Sequence, residues 1–167
     1  FRVDDEFGMG LSDESFLSQA EPIIAKQRQP FYTFIITQSS HTPFNLPAEL
    51  RELKLPEEVD KTYLGGYLQS IRYTDRCIGA FLDGLKRDGI LDDTVVALYG
   101  DHEGVHKYFK DSLGDINLPG DWWQDNHKRT PLLVYSQGLK SEEIATVGGE
   151  IDILPTLCYL MGIDGRE

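Results

Sequence analysis

Cysteine is scarce in this chain. Cys77 and Cys158 are the only two in 167 residues, which excludes a disulfide-stapled scaffold and identifies no redox compartment. Both fall in stretches with helical patterning and read as small core residues. Long hydrophobic runs are missing as well. None approaches the roughly 18 residues that a membrane span needs, and no basic-then-apolar leader opens the sequence, so any membrane anchor is expected outside it. Basic residues are outnumbered, 16 against 28 acidic, for a net charge of −12. That deficit argues against a nucleic-acid binder, which carries a basic face. It also means that an anionic substrate would need a local cation, such as a bound metal. Internal repeats and low-complexity tracts are absent. What remains is 40% hydrophobic, enough to form the core of a soluble globular domain or a large part of one.

The most informative stretch runs from Thr94 through Val95, Val96, Ala97, Leu98 and Tyr99 to Gly100, Asp101, His102, Glu103 and Gly104. A continuous β-branched and aliphatic run reads as a strand covered on both faces, as in a parallel sheet. It stops at a carboxylate and an imidazole, and open parallel sheets bind ligands beyond the carboxyl ends of their strands. A second run, Phe31 to Gln38, is followed by Ser39-Ser40-His41-Thr42-Pro43-Phe44. Between the two, Leu64, Tyr67, Leu68, Ile71, Ile78, Phe81, Leu82 and Leu85 mark one face of a helix from about Asp60 to Asp88. Lys86 and Arg87 close that helix before Gly89, a left-handed cap. Strand, helix, strand implies a right-handed parallel crossover. In that arrangement His41 and the Asp101–His102 pair emerge at the same edge of one sheet.

The remaining sequence continues the alternation. Ser12-Asp13-Glu14 reads as a helix start leading toward Gln27, with Pro22 expected to kink it. Thr130 to Ser136 reads as a third strand with its proline at the beginning. Asp152 is placed as the cap of a helix that carries Pro155 in its first turn and ends at Gly162. The expected class is therefore α/β, a mostly parallel sheet flanked by helices. The polar stretch from Gly104 to Lys128 is a long connection of the kind that is usually functional or flexible.

Five segments in this order carry a resemblance: Ser40-His41-Thr42-Pro43-Phe44; Gly66-Tyr67 through Arg72-Tyr73 and Asp75; Leu98-Tyr99-Gly100-Asp101-His102; Arg129-Thr130-Pro131; and Gly148-Gly149, Ile151-Asp152 and Pro155-Thr156. Together, from about Phe31 to Asp164, the chain resembles the lipoteichoic-acid synthase and phosphoglycerol-transferase branch of the sulfatase and alkaline-phosphatase superfamily. The resemblance implies an incomplete alkaline-phosphatase/sulfatase-like fold. Residues 1–167 would be the carboxyl-terminal portion of a single catalytic domain whose nucleophilic threonine and first acidic metal ligand lie upstream. It implies one divalent metal ion, manganese by preference with zinc or magnesium as alternatives, held here by Asp101 and His102. His41 then matches the histidine that contacts the phosphoryl group. The implied reaction moves glycerol phosphate from a phosphatidylglycerol-type lipid through a phosphothreonine intermediate, on the extracytoplasmic face of a bacterial membrane.

That chemistry needs these residue types. A phosphodiester is anionic, so a divalent cation bound to nucleophile and phosphoryl oxygen offsets the charge that develops. A mixed oxygen and nitrogen ligand set suits manganese or zinc better than magnesium. His41 would serve as electrostatic clamp or general acid, or alternatively only cap the Pro43 turn. Thr37, Ser39 and Ser40 stand beside His41 but are poor nucleophile candidates, since sequence neighbours seldom face each other correctly. His106, His127, Arg129 and Glu103 are further substrate-contact candidates, while Trp122 and Trp123 read better as packing residues than as a stacking platform. Two other classes stay open: a hydrolase of sulfate, phosphate or phosphonate esters, and a noncatalytic domain. Expected partners are an anionic phospholipid or a phosphate or sulfate ester and no nucleic acid, with self-association through an exposed strand edge.

Overall fold

In the computed structural model, which describes residues 1–105 and 129–163, the elements run β1 (Glu6–Phe7), β2 (Gly10–Leu11), α1 (Asp13–Ile24), α2 (Glu57–Asp60), α3 (Tyr63–Arg87), β3 (Val96–Tyr99), β4 (Leu132–Tyr135) and α4 (Ile153–Leu160). Short 3₁₀ turns at Ala48–Leu50, Leu91–Asp93 and Glu150–Asp152 link them. Among the described residues no helix is long and apolar enough to cross a membrane.

The 25-residue α3 is the spine. Thr62 caps its start by accepting from the Gly65 N–H at 3.2 Å. Its end is a Schellman turn: Gly89 takes φ +72°, its N–H reaches the Lys86 carbonyl at 3.1 Å, and the Ile90 N–H reaches Leu85 at 2.9 Å. This is the cap expected from the sequence. Helix α1 begins as foreseen at Ser12, whose hydroxyl accepts from the Ser15 N–H at 3.1 Å, and it carries Pro22 within its last turn. Three apolar clusters lie along α3. Phe44, Leu64 and Val105 gather at its amino-terminal end, Leu17, Leu46, Tyr73 and Cys77 at its middle, and Ala20, Ile24, Leu85 and Leu91 at its carboxyl end. Burial of these side chains from α1, the 38–46 loop and the turn before β3 fixes the arrangement.

Several expectations need correction. Phe31–Gln38 forms no ladder with the described residues; Phe31 and Ile35 pack against the core clusters, while Tyr32, Phe34 and Ile36 are 83%, 59% and 62% exposed. A strand needs a hydrogen-bonded neighbour on its edge, and β3 takes its partner elsewhere. β3 pairs with β4, antiparallel, in register Val96↔Tyr135 to Tyr99↔Leu132. The other ladder is the unforeseen hairpin β1–β2, antiparallel, turning at Gly8 with φ +67°. The parallel crossover between 31–38 and 94–100 is thus not closed by these two segments. Ile71 is 42% exposed, while the polar Gln69, Ser70 and Thr74 lie buried on the inner face of α3. Gln69 earns its place by bonding four groups: it accepts from the Glu52 and Leu53 N–H groups at 3.1 and 2.9 Å and donates to the Leu53 carbonyl and to Asp60 at 2.9 and 2.8 Å. Asp152 stands at the start of α4, but its carboxylate bonds backward, accepting from the Gly149 N–H at 2.8 Å, so it caps the preceding 3₁₀ turn rather than the helix. Cys77 and Cys158 are both free thiols in helices; Cys77 is a buried core residue as expected, whereas Cys158 is only half-buried, in a helix with no buried residue.

Candidate functional site

His41 and His102 come together. With Ser40, Thr42, Phe44 and Gly104 they line a small cavity of about 60 Å³. Each histidine reaches it on a loop, and both loops rest on the first turns of α3. The His41 loop consists of two consecutive turns, in which the His41 N–H bonds the Gln38 carbonyl at 3.0 Å and the Phe44 N–H bonds the His41 carbonyl at 3.2 Å. Phe44 closes it in the left-handed region at φ +59°, a conformation uncommon for a bulky residue. Its ring is buried, edge-on to Tyr67 with centroids 5.3 Å apart. Its backbone lies directly over Gly66, where a Cβ would sit 2.6 Å from the Phe44 carbonyl oxygen.

The second loop leaves β3. Tyr99 is the last paired residue, opposite Leu132, and the Gly100 N–H bonds the Pro131 carbonyl at 3.3 Å. Asp101 and His102 follow immediately. Gly104 then presses on the Tyr67 ring, where a Cβ would meet the ring at 2.4 Å, and Val105 is fully buried beside Leu64. The glycine-tyrosine pair at 66 and 67 therefore seats both loops, the His41 loop on Gly66 and the Tyr67 ring and the His102 loop on the Tyr67 ring. Burial holds the Tyr67 hydroxyl above its ordinary range of ionisation.

Both imidazoles are oriented in the same way. His41 Nδ1 lies 2.8 Å from the Thr42 carbonyl and His102 Nδ1 lies 2.7 Å from the Glu103 carbonyl. A carbonyl only accepts, so each Nδ1 carries a proton and, in the neutral ring, Nε2 is the nitrogen that presents a lone pair. That is the second-shell orientation of a metal-ligating or phosphoryl-contacting histidine. The Asp101 carboxylate oxygen lies 3.8 Å from His102 Nε2, on a side chain that is 82% exposed. Two ligands each about 2.1 Å from a tetrahedral ion stand roughly 3.4 Å apart, so a small rotation of the exposed carboxylate brings both donors to one ion. The pair fits a divalent metal as two adjacent ligands. Among the described residues no group of three or more His, Cys, Asp and Glu assembles a fuller set.

Other sequence candidates fall differently. Asp101 adjoins the cavity without lining it, and Arg129 is exposed at the approach to β4 and outside the cavity. His106, His127, Trp122 and Trp123 lie outside the described residues. Ser39 is buried and accepts the Asp13 N–H at 2.9 Å, which withdraws it as a nucleophile; Ser40 lines the cavity without bonding either imidazole. Sequence reasoning missed Asp13 and Thr74, described below, and the supporting role of Gly66, Tyr67 and Gly104. A glycine pair interrupting a helical pattern was the available signal, since such glycines commonly mark close backbone approach.

Residues 3–163 match the sulfatase family. The chain is 36% identical to lipoteichoic acid synthase 1 of Bacillus subtilis over 95% of its own length and 25% of the relative's. It is 33% identical to the lipoteichoic acid synthase of Staphylococcus saprophyticus with the same coverage of each. It therefore spans about a quarter of these curated relatives. Among solved structures, lipoteichoic acid synthase LtaP from Listeria monocytogenes superposes with a TM-score of 0.84 at 35% identity, covering all of this chain and 43% of that one. A protein of the alkaline phosphatase superfamily from Vibrio parahaemolyticus shares the fold, with a TM-score of 0.74 at 24% identity over 99% of this chain and 37% of the other.

Proposed function

Because the chain belongs to the sulfatase family, we propose that it is the carboxyl-terminal portion of the catalytic domain of a phosphoglycerol transferase of the lipoteichoic-acid synthase type. The protein would be anchored to a bacterial membrane and work on its outer face, with an anionic phospholipid as glycerol-phosphate donor. The observation that carries this reading is the meeting of His41 and His102 in one cavity with Asp101 adjacent. The identity to lipoteichoic acid synthases supports the substrate class.

In this reading Asp101 and His102 hold a divalent metal, manganese in preference to zinc or magnesium, together with ligands from the upstream part of the domain. The ion supplies Lewis-acid charge that offsets the phosphodiester anion. This chain's residues do the rest on their side of the cavity. His102 offers Nε2, because the bond from Nδ1–H to the Glu103 carbonyl selects the tautomer whose free nitrogen is Nε2. Asp101 contributes one negative charge. His41, with Nδ1–H committed to the Thr42 carbonyl, presents Nε2 to the cavity. In its protonated form that nitrogen donates to a nonbridging or leaving oxygen of the phosphoryl group, as clamp or general acid. Phe44 supplies the one large apolar side chain among the cavity's lining residues.

The test is to incubate the complete protein with manganese and a fluorescent phosphatidylglycerol analogue, alongside aryl sulfate, phosphate monoester and phosphonate monoester substrates. Release of diacylglycerol that is lost in Asp101→Asn and His102→Ala is the expected result. Turnover of a sulfate, phosphate or phosphonate ester with none of the lipid would replace the transferase reading with that of a hydrolase.

A further inference from the structure

We propose that Asp13 is a positioning residue for His41, a buried carboxylate that clamps the end of an otherwise unladdered segment and so fixes where the imidazole is delivered. The inference deepens the proposed function and rests on its role for His41.

Asp13 opens α1 and is only 1% exposed. A buried carboxylate is costly unless its oxygens are well bonded, and three donors meet it. Oδ1 accepts from the Gln38 N–H at 2.8 Å and the Ser39 N–H at 3.2 Å, and Oδ2 accepts from the Thr74 hydroxyl at 2.8 Å. Its own N–H donates to Ser39 Oγ at 2.9 Å. Such bonds to a charged acceptor are stronger than neutral ones, and the amino end of α1 favours the negative charge further.

The direction of these bonds separates a positioning role from ordinary helix capping. The helix's own cap is Ser12, so Asp13 is not needed for that. Its acceptors are instead spent on Gln38 and Ser39, and the Gln38 carbonyl takes the His41 N–H. The chain of contacts runs from Thr74 on α3, through the Asp13 carboxylate, to the Gln38 peptide and on to the His41 backbone. Residues 31–37 make no backbone hydrogen bond with the described residues. Phe31 and Ile35 pack on the core clusters, and at the carboxyl end of the segment the bonds to Asp13 add a directional tie to the helical layer.

Three variants test the clamp in the complete protein. Asp13→Ala removes it, Thr74→Val removes the hydroxyl that holds it with little change of shape, and Asp13→Asn keeps an oxygen acceptor for the two peptide N–H groups. The readouts are kcat and KM for the phosphatidylglycerol analogue, manganese affinity, and the ¹³Cε1 resonance of His41. Misplacement of a contact group by about 1 Å costs on the order of 100-fold in rate. Accordingly, Asp13→Ala and Thr74→Val are expected to lower kcat by about 10- to 100-fold. KM and metal affinity should stay within about threefold, and the His41 resonance should shift or broaden, with Asp13→Asn restoring both rate and resonance. Folded Asp13→Ala and Thr74→Val proteins with wild-type kcat and an unmoved His41 resonance would overturn the proposal. If Asp13→Ala does not fold, Thr74→Val decides by the same two readouts. If the wild-type protein transfers no glycerol phosphate, the functional reading fails, and the His41 resonance alone judges the clamp.

Discussion

Two glycines of α3 allow a sharp test of how the site is held. Gly66→Ala places a Cβ 2.6 Å from the Phe44 carbonyl oxygen and 3.2 Å from the Phe44 Cβ, whereas Gly79→Ala places one with nothing within 4 Å. Glycine to alanine inside a helix ordinarily stabilises by about 1 kcal/mol. Gly79→Ala should show that gain, a rise in Tm of about 2–4 °C in the 167-residue chain, with unchanged turnover in the complete protein. At position 66 the same helical gain is opposed by overpacking, which costs roughly 1–3 kcal/mol. Phe44 must retreat by roughly 0.9 Å to reach an ordinary contact of about 3.5 Å. It is a backbone atom that must move, in a residue already at φ +59°, so the displacement passes to the His41 turn. A shift of that size predicts a fall in kcat of about 10- to 100-fold, with Tm unchanged or a few degrees lower. Thermal melts followed by circular dichroism, together with lipid turnover, compare the two variants directly. A Gly66→Ala protein that gains stability as Gly79→Ala does and keeps full turnover would refute the idea that α3 seats the His41 loop.

Other outcomes follow from the same geometry. Asp101→Asn or His102→Ala in the complete protein should abolish turnover and weaken manganese binding, read by isothermal titration; near-normal affinity in either would remove that residue from the ligand set. His41→Ala should lose rate by about 100-fold or more while metal affinity is retained, and a large loss of metal would instead make it a ligand. Burial raises the Cys77 thiol from 9.0 to about 11 and the Tyr73 hydroxyl from 10.0 to about 12. The unfolded chain releases these protons first, so the stability they represent is complete below pH 9 and is lost as pH rises toward 12. Urea melts between pH 8 and about pH 11 should show that decline, and it should shrink in Cys77→Ala. The 167-residue chain alone should self-associate through its exposed apolar segment; a concentration-independent monomer in sedimentation equilibrium would contradict this.

Much of the helical layer was readable because its signals are local. The Schellman turn at Gly89, the cap at Ser12 and the period of α3 all depend on residues within a few positions of one another. The meeting of His41 with His102 was also anticipated, but from an assumed parallel pairing that these two segments do not form with each other. Their loops are brought together by the Phe44 backbone on Gly66 and by Gly104 on the Tyr67 ring, close approaches of backbone that no hydrophobic period records. Buried polar residues were the other blind spot. Gln69 and Thr74 look like solvated positions in sequence, and only their partners at Leu53, Asp60 and Asp13 reveal why they face inward. Asp13 belongs to a legible helix start, but nothing local in the sequence shows that its oxygens reach Gln38, Ser39 and Thr74.

The seating of two loops on consecutive residues of one helix makes α3 a ruler for the cavity. Gly66 and Tyr67 are separated by a fixed rise of about 1.5 Å and a turn of about 100°. A roll or slide of the whole helix therefore carries both imidazoles together and leaves their spacing unchanged. A change of bulk at Gly66 presses on the Phe44 loop alone, whereas one at Tyr67 is felt by both the Phe44 ring and Gly104. Spacing across the cavity can thus be adjusted from the Gly66 seat without disturbing the β3–β4 ladder.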